Sequence, residues 1–417
     1  MKVAMILGTR PEIIKFSPVI RELQNEPIDL FIIHTGQHYS YEMDQIFFEQ
    51  LKLPSPDYNL DVGSGTHAIQ TAKMLSGIEP ILESERPDVV LVEGDTNTVL
   101  AGALAAVKLA IPVGHIEAGL RSYDRRMPEE MNRILTDHMS AFLFAPTGIA
   151  VKNLEEEGIG SKLFLTSDGM GKATIHNVGN TIVDATLQNI RLAQEKERSI
   201  LEQCAVAPKE YVLLTAHRSE NVDNIEFLRH LCQLLDYIND TYKLKVIWPI
   251  HPRTVKKLSE FGIAPRARLI DPQGYLEFLA LESNARIVVT DSGGVQEEMC
   301  VLGIPCVTIR KTTERPETVL VGANEVAGTE FETMRGAFDK MSQNDRTWRI
   351  PYAQDTSKTI IRILGQALNQ GLSSRNFLFL EPSCIPDTLV QSTNGSIEEV
   401  GQTLTCFPSD LWRQPTE

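Results

Sequence analysis

The chain has 417 residues, of which 42% are hydrophobic and 23% charged, with a formal charge of −15. That length exceeds what one hydrophobic core usually serves, and two substantial domains are expected. No apolar run reaches the roughly 20 residues of a membrane span, and so acidic a chain lacks the basic surface that neutralises nucleic-acid phosphates.

In chain order, short apolar or β-branched runs alternate with longer helical patterns, the signature of βαβ units. The first half carries VAMIL (3–7), LFIIHTG (30–36), DVVLVEG (88–94), IPVGHIEA (111–118) and AFLFAPT (141–147). The opening MKVAMILGTRPE reads as a first strand and not as a cleaved leader, which predicts a cytoplasmic protein. The second half repeats the theme with YVLLTAH (211–217), KVIWPIH (245–251), ARIVVTD (285–291) and IPCVTIR (304–310). Most runs are apolar on both faces, as strands covered by helices on both sides require. The expected fold is therefore α/β, with two Rossmann-like doubly wound domains over 1–179 and 180–354. A helix over 355–370 is expected to cross back to the first domain, and 371–417, rich in Ser, Thr, Pro and Gln, reads as an appendage.

Ligands of open α/β sheets bind beyond the carboxyl ends of the strands, so polar residues directly after apolar runs are site candidates. Gly8-Thr9-Arg10-Pro11-Glu12 follows the first run, Glu93-Gly94-Asp95-Thr96-Asn97 the third, and Glu117 ends the fourth. Pro11 suits a first helical turn, which puts Arg10 at a helix's positive end. HIEAGLRSYDRRMPEEMNR then sets Glu117, Glu129 and Glu130 near Arg121, Arg125, Arg126 and Arg133. Downstream, Asp291-Ser292-Gly293-Gly294-Val295-Gln296-Glu297-Glu298 joins a buried strand to a helix. Its glycines let amides approach a diphosphate, and a first-turn carboxylate can take sugar hydroxyls. His217-Arg218 and Thr312-Thr313-Glu314-Arg315 face the same rim.

Two cofactor signals fail. Gly63-Ser64-Gly65-Thr66-His67-Ala68 lies outside the opening βα turn that a dinucleotide fingerprint needs, and Gly171-Lys172 lacks the upstream glycine of a P-loop. Cys204, Cys232, Cys300, Cys306, Cys384 and Cys406 form no C-x-x-C pair or metal-type cluster, so reduced packing thiols and no metal or cofactor are expected.

In order, GTRPEIIK, HTGQH, EGDTNTVLAGALAA, HIEAGLRS, MPEEMNR, TAHRSEN, DSGGVQEE and TTERPE resemble the motifs of non-hydrolysing UDP-N-acetylglucosamine 2-epimerases over about residues 1–370. The resemblance implies the glycosyltransferase-B-like fold, with a deep cleft between the two Rossmann-like domains, and a UDP-sugar as ligand. It implies interconversion of UDP-GlcNAc and UDP-ManNAc, an activity belonging to polysaccharide biosynthesis, and a homodimer. UDP would lie mainly on the second domain, with Ser292, Gly293 and Gly294 at the diphosphate, Glu298 at the ribose, and Arg10, Arg133 and Arg315 as further contacts. Lys15, Asp95, Glu117, Glu129 and His217 match positions around the reacting sugar, and Gln37-His38 matches a segment of an activator site. A related UDP-2,3-diacetamido-uronate epimerase and a UDP-sugar glycosyltransferase of the same fold are the alternatives.

Overall fold

The computed structural model describes residues 1–37, 41–161, 163–166 and 169–369; the appendage expected over 371–417 and His38 lie outside them. The first half runs β1 (Lys2–Leu7), α1 (Arg10–Gln24), β2 (Asp29–His34), α2 (Tyr41–Gln50), β3 (Tyr58–Asn59), α3 (His67–Glu85), β4 (Val89–Glu93) and α4 (Asn97–Lys108). It continues through β5 (Val113–Ile116), α5 (Pro128–Met139), β6 (Phe142–Ala145), α6 (Gly148–Glu156), β7 (Leu163–Thr166), β8 (Gly169–Lys172) and β9 (Thr174–Asn177). Seven of these strands form a parallel sheet in the order β3-β2-β1-β4-β5-β6-β9, and β7 pairs antiparallel with β8.

The second half opens with the long helix α7 (Thr181–Cys204) and continues β10 (Tyr211–Thr215), α8 (Ser219–Val222), α9 (Ile225–Tyr237), β11 (Lys245–Pro249), α10 (Pro252–Glu260), β12 (Arg268–Ile270) and α11 (Tyr275–Asn284). After these come β13 (Ile287–Thr290), α12 (Gly293–Leu302), β14 (Cys306–Thr308), α13 (Pro316–Leu320), β15 (Asn324–Val326), α14 (Phe331–Ser342) and α15 (Thr356–Asn369). Its sheet is parallel in the order β12-β11-β10-β13-β14-β15. The nine apolar runs of the sequence correspond to the nine inner strands of the two sheets. The strands that sequence patterning leaves unmarked, β3, β7, β8, β9, β12 and β15, have two to four residues each. Too short to show a period, they rest on their neighbours for register; β12, with Arg268 and Leu269 exposed, is an edge strand.

The inner strands are buried over most of their length, β4, β5, β6, β10, β13 and β14 at every residue, because helices cover both faces. The strand order reverses between β1 and β4 in the first sheet and between β10 and β13 in the second. Crevices open at such switch points beyond the carboxyl ends, which is where the motif loops emerge. At the first, Gly8 must be glycine: a Cβ there would stand 1.9 Å from the Thr35 hydroxyl. Thr9 then caps α1, while the Glu12 carboxylate accepts from the Gly8 and Thr9 amides at 2.6 and 2.9 Å.

One hydrophobic cluster crosses between the halves, taking in Phe16 and Ile20 of α1, Ala193 and Ile200 of α7, Leu279 of α11 and Ile360 and Leu364 of α15. α15 packs on α1 and α7. Asp184 of α7 pins its start, accepting from the Ser357 amide at 2.9 Å and hydroxyl at 2.8 Å. Among the described residues no helix is long and apolar enough to cross a membrane.

Candidate active site

Burial and charge meet where the carboxyl ends of β1, β4 and β5 face the start of α12. Lys15, on the second turn of α1, is buried with its Nζ 2.6 Å from Glu117 and 3.2 Å from Glu93. Glu117 directly follows β5 in the left-handed region, at φ 67°. A non-glycine residue held there carries strain that only its surroundings can impose. Those surroundings reach across both halves: Asn180, the cap of α7, donates to Glu117 at 3.3 Å and to Glu297 of α12 at 2.6 Å. Arg315 lies 2.7 Å from Glu297 and 3.7 Å from Glu117.

Beneath these groups a buried scaffold holds the loops. His115 of β5 meets Asp137 of α5 at 2.6 Å through Nδ1 and the Gly94 carbonyl at 2.8 Å through Nε2. Asp137 also accepts from the Gly119 amide at 3.1 Å and pairs with Arg121 at 2.7 Å, while Arg121 grips Glu157 with two bonds of 2.7 Å. The scaffold thereby fixes Gly94 beside Asp95 and Gly119 beside Glu117. Gly119, at φ 82°, admits no side chain, since a Cβ would lie 2.3 Å from the Ala150 carbonyl. Arg121 is thus part of the frame and not of the cleft.

Asp95, after β4, is partly exposed and paired with Arg133 of α5, which also takes Glu130 at 2.8 Å. Glu130 accepts from the Ser122 and Tyr123 amides at 2.9 Å each, and so ties down the loop between β5 and α5. Glu129 sits on the first turn of α5, partly exposed, and among the described residues it forms no ion pair with this network. The structure therefore gathers Lys15, Asp95, Glu117, Arg133 and Arg315 but leaves Glu129 beside them.

The carboxyls do not share one proton affinity. For Glu117, burial is opposed by Lys15 and Arg315, which bring it down to about 2 and keep it ionised. Burial raises Asp95 despite Arg133 and Lys15, lifts Glu93 well above the usual range, and takes Glu297 to about 7 against the pull of Arg315. Burial works against the Lys15 charge, yet Glu117, Glu93 and Glu297 hold its ammonium firmly protonated. An ionised carboxylate thus stands near others that hold protons more readily, an arrangement suited to proton transfer.

On the second half, Ser292 caps α12, and Gly293 and Gly294 leave its first amides open; a Cβ on Gly294 would meet nothing within 4 Å. This open helix start favours an anion by charge and by free N–H donors. His217 is anchored by its amide to Asp291 at 3.0 Å and by Nδ1 at 3.2 Å, while its ring is half exposed. Glu298 is buried beside Tyr275 and Glu282, and burial raises its carboxyl to about 7. Arg10 lies over the Phe47 ring at 4.8 Å. Gln37 is buried with its side-chain oxygen accepting from the Thr98 hydroxyl at 2.8 Å, which braces the start of α4. A cavity of about 430 Å³, lined by Asp124, Arg126, Arg218, Asn221, Arg310 and Glu314 among others, opens between the halves.

Sequence reasoning assigned no role to Glu93, Asn180 or Glu297. Glu93 was visible as a charge ending an otherwise apolar strand, and Glu297 as the first of the paired acids after the glycines. Nothing local marks Asn180, whose bonds to Glu117 and Glu297 span 63 and 117 residues of chain.

Comparison with known proteins gives a consistent result. The family model described as UDP-N-acetylglucosamine 2-epimerase matches residues 21–365. A UDP-N-acetylglucosamine 2-epimerase of Methanococcus maripaludis is 53% identical over 367 residues, which make up 86% of this chain and 97% of that protein. A UDP-2,3-diacetamido-2,3-dideoxy-D-glucuronate 2-epimerase of Pseudomonas aeruginosa is 43% identical over 351 residues, 83% of this chain and 94% of that protein. The crystal structure of the Methanocaldococcus jannaschii UDP-GlcNAc 2-epimerase in complex with UDP-GlcNAc and UDP aligns with a TM-score of 0.78 at 53% identity, covering 88% of this chain and 100% of that one.

Proposed function

Because the chain belongs to the UDP-N-acetylglucosamine 2-epimerase family, we propose that it interconverts UDP-GlcNAc and UDP-ManNAc by eliminating UDP and adding it back. The observation that carries this reading is the buried Glu117 between Lys15 at 2.6 Å and Arg315 at 3.7 Å, with Asp95 at the end of the neighbouring strand β4 and the open start of α12 on the other half.

Inverting C2 of the sugar is difficult because its hydrogen is not next to a carbonyl carbon. If the C1–O bond breaks and its electron pair leaves with UDP, C1 gains oxocarbenium character and the C2 hydrogen becomes acidic. A carboxylate takes that proton, the C–H pair forms the C1=C2 bond, and 2-acetamidoglucal results. In the return step a UDP oxygen bonds to C1 while an acid on the opposite face protonates C2. This route needs cations and amides at the leaving diphosphate and acid/base groups at C2. Arg315, Arg10, the Ser292 hydroxyl and the amides of Gly293 and Gly294 serve the first need, and Asp95, Glu117 and Glu129 the second. Lys15 and His217 support the charges, Arg133 orients Asp95, and Glu298 takes the ribose. No redox step enters, so no nicotinamide is required. We also assign the enzyme to polysaccharide precursor synthesis in the cytoplasm, as a homodimer whose mass light scattering would check.

The test is incubation with UDP-GlcNAc alone in deuterated water. UDP-ManNAc with deuterium at C2 supports elimination; retention of all the original hydrogen during turnover rules it out. Free ManNAc would indicate a hydrolase, and a requirement for an acceptor a glycosyltransferase. Turnover of only the UDP-2,3-diacetamido-uronate would move the substrate to that of the Pseudomonas relative.

A further inference from the structure

Among the described residues, ion pairs at the floor of the cleft set three carboxyls, Glu93, Glu117 and Glu297, against two cations, Lys15 and Arg315. With Glu93 holding its proton, the other two carboxylates balance the two cations, so an entering diphosphate adds negative charge to a closed set of ion pairs. Of the three, Glu297 lies nearest the open start of α12 in sequence, on the second turn of the same helix. It is fully buried, Asn180 and Arg315 hold one of its oxygens, and the other oxygen is buried without a hydrogen-bond partner.

We infer that Glu297 is a displaceable counter-anion, a positioning residue that holds Arg315 in the empty cleft and takes up a proton when the nucleotide's diphosphate claims that guanidinium. The inference rests on the reading above that a diphosphate binds at α12. Its physical basis is charge conservation in a desolvated space, where an uncompensated buried carboxylate is costly and protonation is the least expensive remedy.

The groups facing Glu297 agree. Arg315 and Lys15 favour its charge, whereas Glu117 opposes it from the first half. Glu298 beside it on α12, the Cys300 thiol one turn on and the Tyr352 phenol each feel its negative charge. Burial outweighs the two cations and already lifts the carboxyl to about 7. Adding the diphosphate, and turning Arg315 toward it, moves the same group higher. The proton comes from solvent, and no covalent step is involved.

The experiment is calorimetric titration of UDP into wild-type protein and Glu297→Gln, each in two buffers of different ionisation enthalpy, at pH 6 and pH 8. The difference between the proteins cancels the titration of UDP's own terminal phosphate. Wild type should take up close to one more proton than the variant at pH 8 and about a tenth of that at pH 6, where Glu297 is already protonated. From pH 7 to pH 8, UDP affinity of wild type should fall about five-fold relative to the variant by the same linkage. Equal uptake in the two proteins would overturn the inference and give the proton to another group such as Glu298. If the variant does not fold, wild type titrated with UDP-GlcNAc, whose diphosphate carries no proton titrating in this range, decides, because uptake that does not grow between pH 6 and pH 8 refutes the proposal. Absence of UDP binding by wild type would instead remove the diphosphate reading beneath it.

Discussion

Replacing Glu117 with Gln keeps the shape of the side chain and removes its charge, so it separates the residue's two roles. As a buried ion-pair member, Glu117 is held at about 2 when its ordinary value is 4.5, chiefly by Lys15 at 2.6 Å and Arg315 at 3.7 Å against the cost of burial. At about 1.4 kcal/mol per tenfold change in proton affinity this corresponds to about 3 kcal/mol. Domains of this size shift in Tm by about 2–4 °C per kcal/mol, so Glu117→Gln should melt roughly 6–12 °C below wild type at pH 7. A carboxyl depressed in the folded state contributes stability above its unfolded value and loses it as pH falls. The Tm gap should therefore narrow below pH 4.5 and close near the folded value of about 2. As an acid/base group, Glu117 should lower kcat by about 10² to 10⁴ when neutralised, with UDP affinity nearly unchanged because the nucleotide rests on α12. Scanning calorimetry across pH, steady-state kinetics and UDP titration measure all three. Near-wild-type kcat in a folded variant would remove Glu117 from the chemistry, and a Tm gap independent of pH would remove the ion-pair account.

Asp95→Asn should lower kcat by a similar factor of about 10² to 10⁴, while Glu129→Gln, which disturbs no ion pair of the network, should leave Tm within about 1 °C. Kinetics of the two variants side by side decide whether Glu129 belongs to the acid/base set; an unaltered kcat would exclude it. At pH 8, where a carboxyl raised to about 7 is mostly ionised, Glu298→Ala should weaken UDP binding by about 10- to 150-fold, the worth of a charge-assisted bond to ribose hydroxyls at roughly 1.5–3 kcal/mol. Titration calorimetry reads this directly, and an unchanged affinity takes Glu298 out of the nucleotide site.

Much of the architecture is legible because its cause is local. Apolar runs of four to six residues separated by helical patterns admit few solutions other than parallel sheets covered on both sides. Thr9, Pro11 and Glu12 encode the start of α1 within four residues, through a capping box that needs no distant partner. Gly293-Gly294 likewise marks an open helix start. The strands that leave no sequence mark are those whose existence depends on a neighbour, such as β9, whose TIHN sequence would pass for a loop without β6 to pair with.

The site divides along the same line. Sequence alone determined that Lys15, Asp95, Glu117 and Arg315 would emerge at strand ends facing one rim, since strand direction and connection handedness leave little choice. It singled out Glu129 and gave no structural part to Glu130, which joins the ion network, because neighbours on a helix point about 100° apart and the loop geometry selects between them. Nor did it reveal that Arg121 serves the His115–Asp137 scaffold, or that Asn180 and Glu297 join the halves. Those assignments, and the separation of Glu117 at about 2 from Glu297 at about 7, were made by the tertiary structure. The physical reason is that burial and the distance to each opposite charge set a carboxyl's proton affinity, and both are properties of the assembled cleft that no stretch of chain contains.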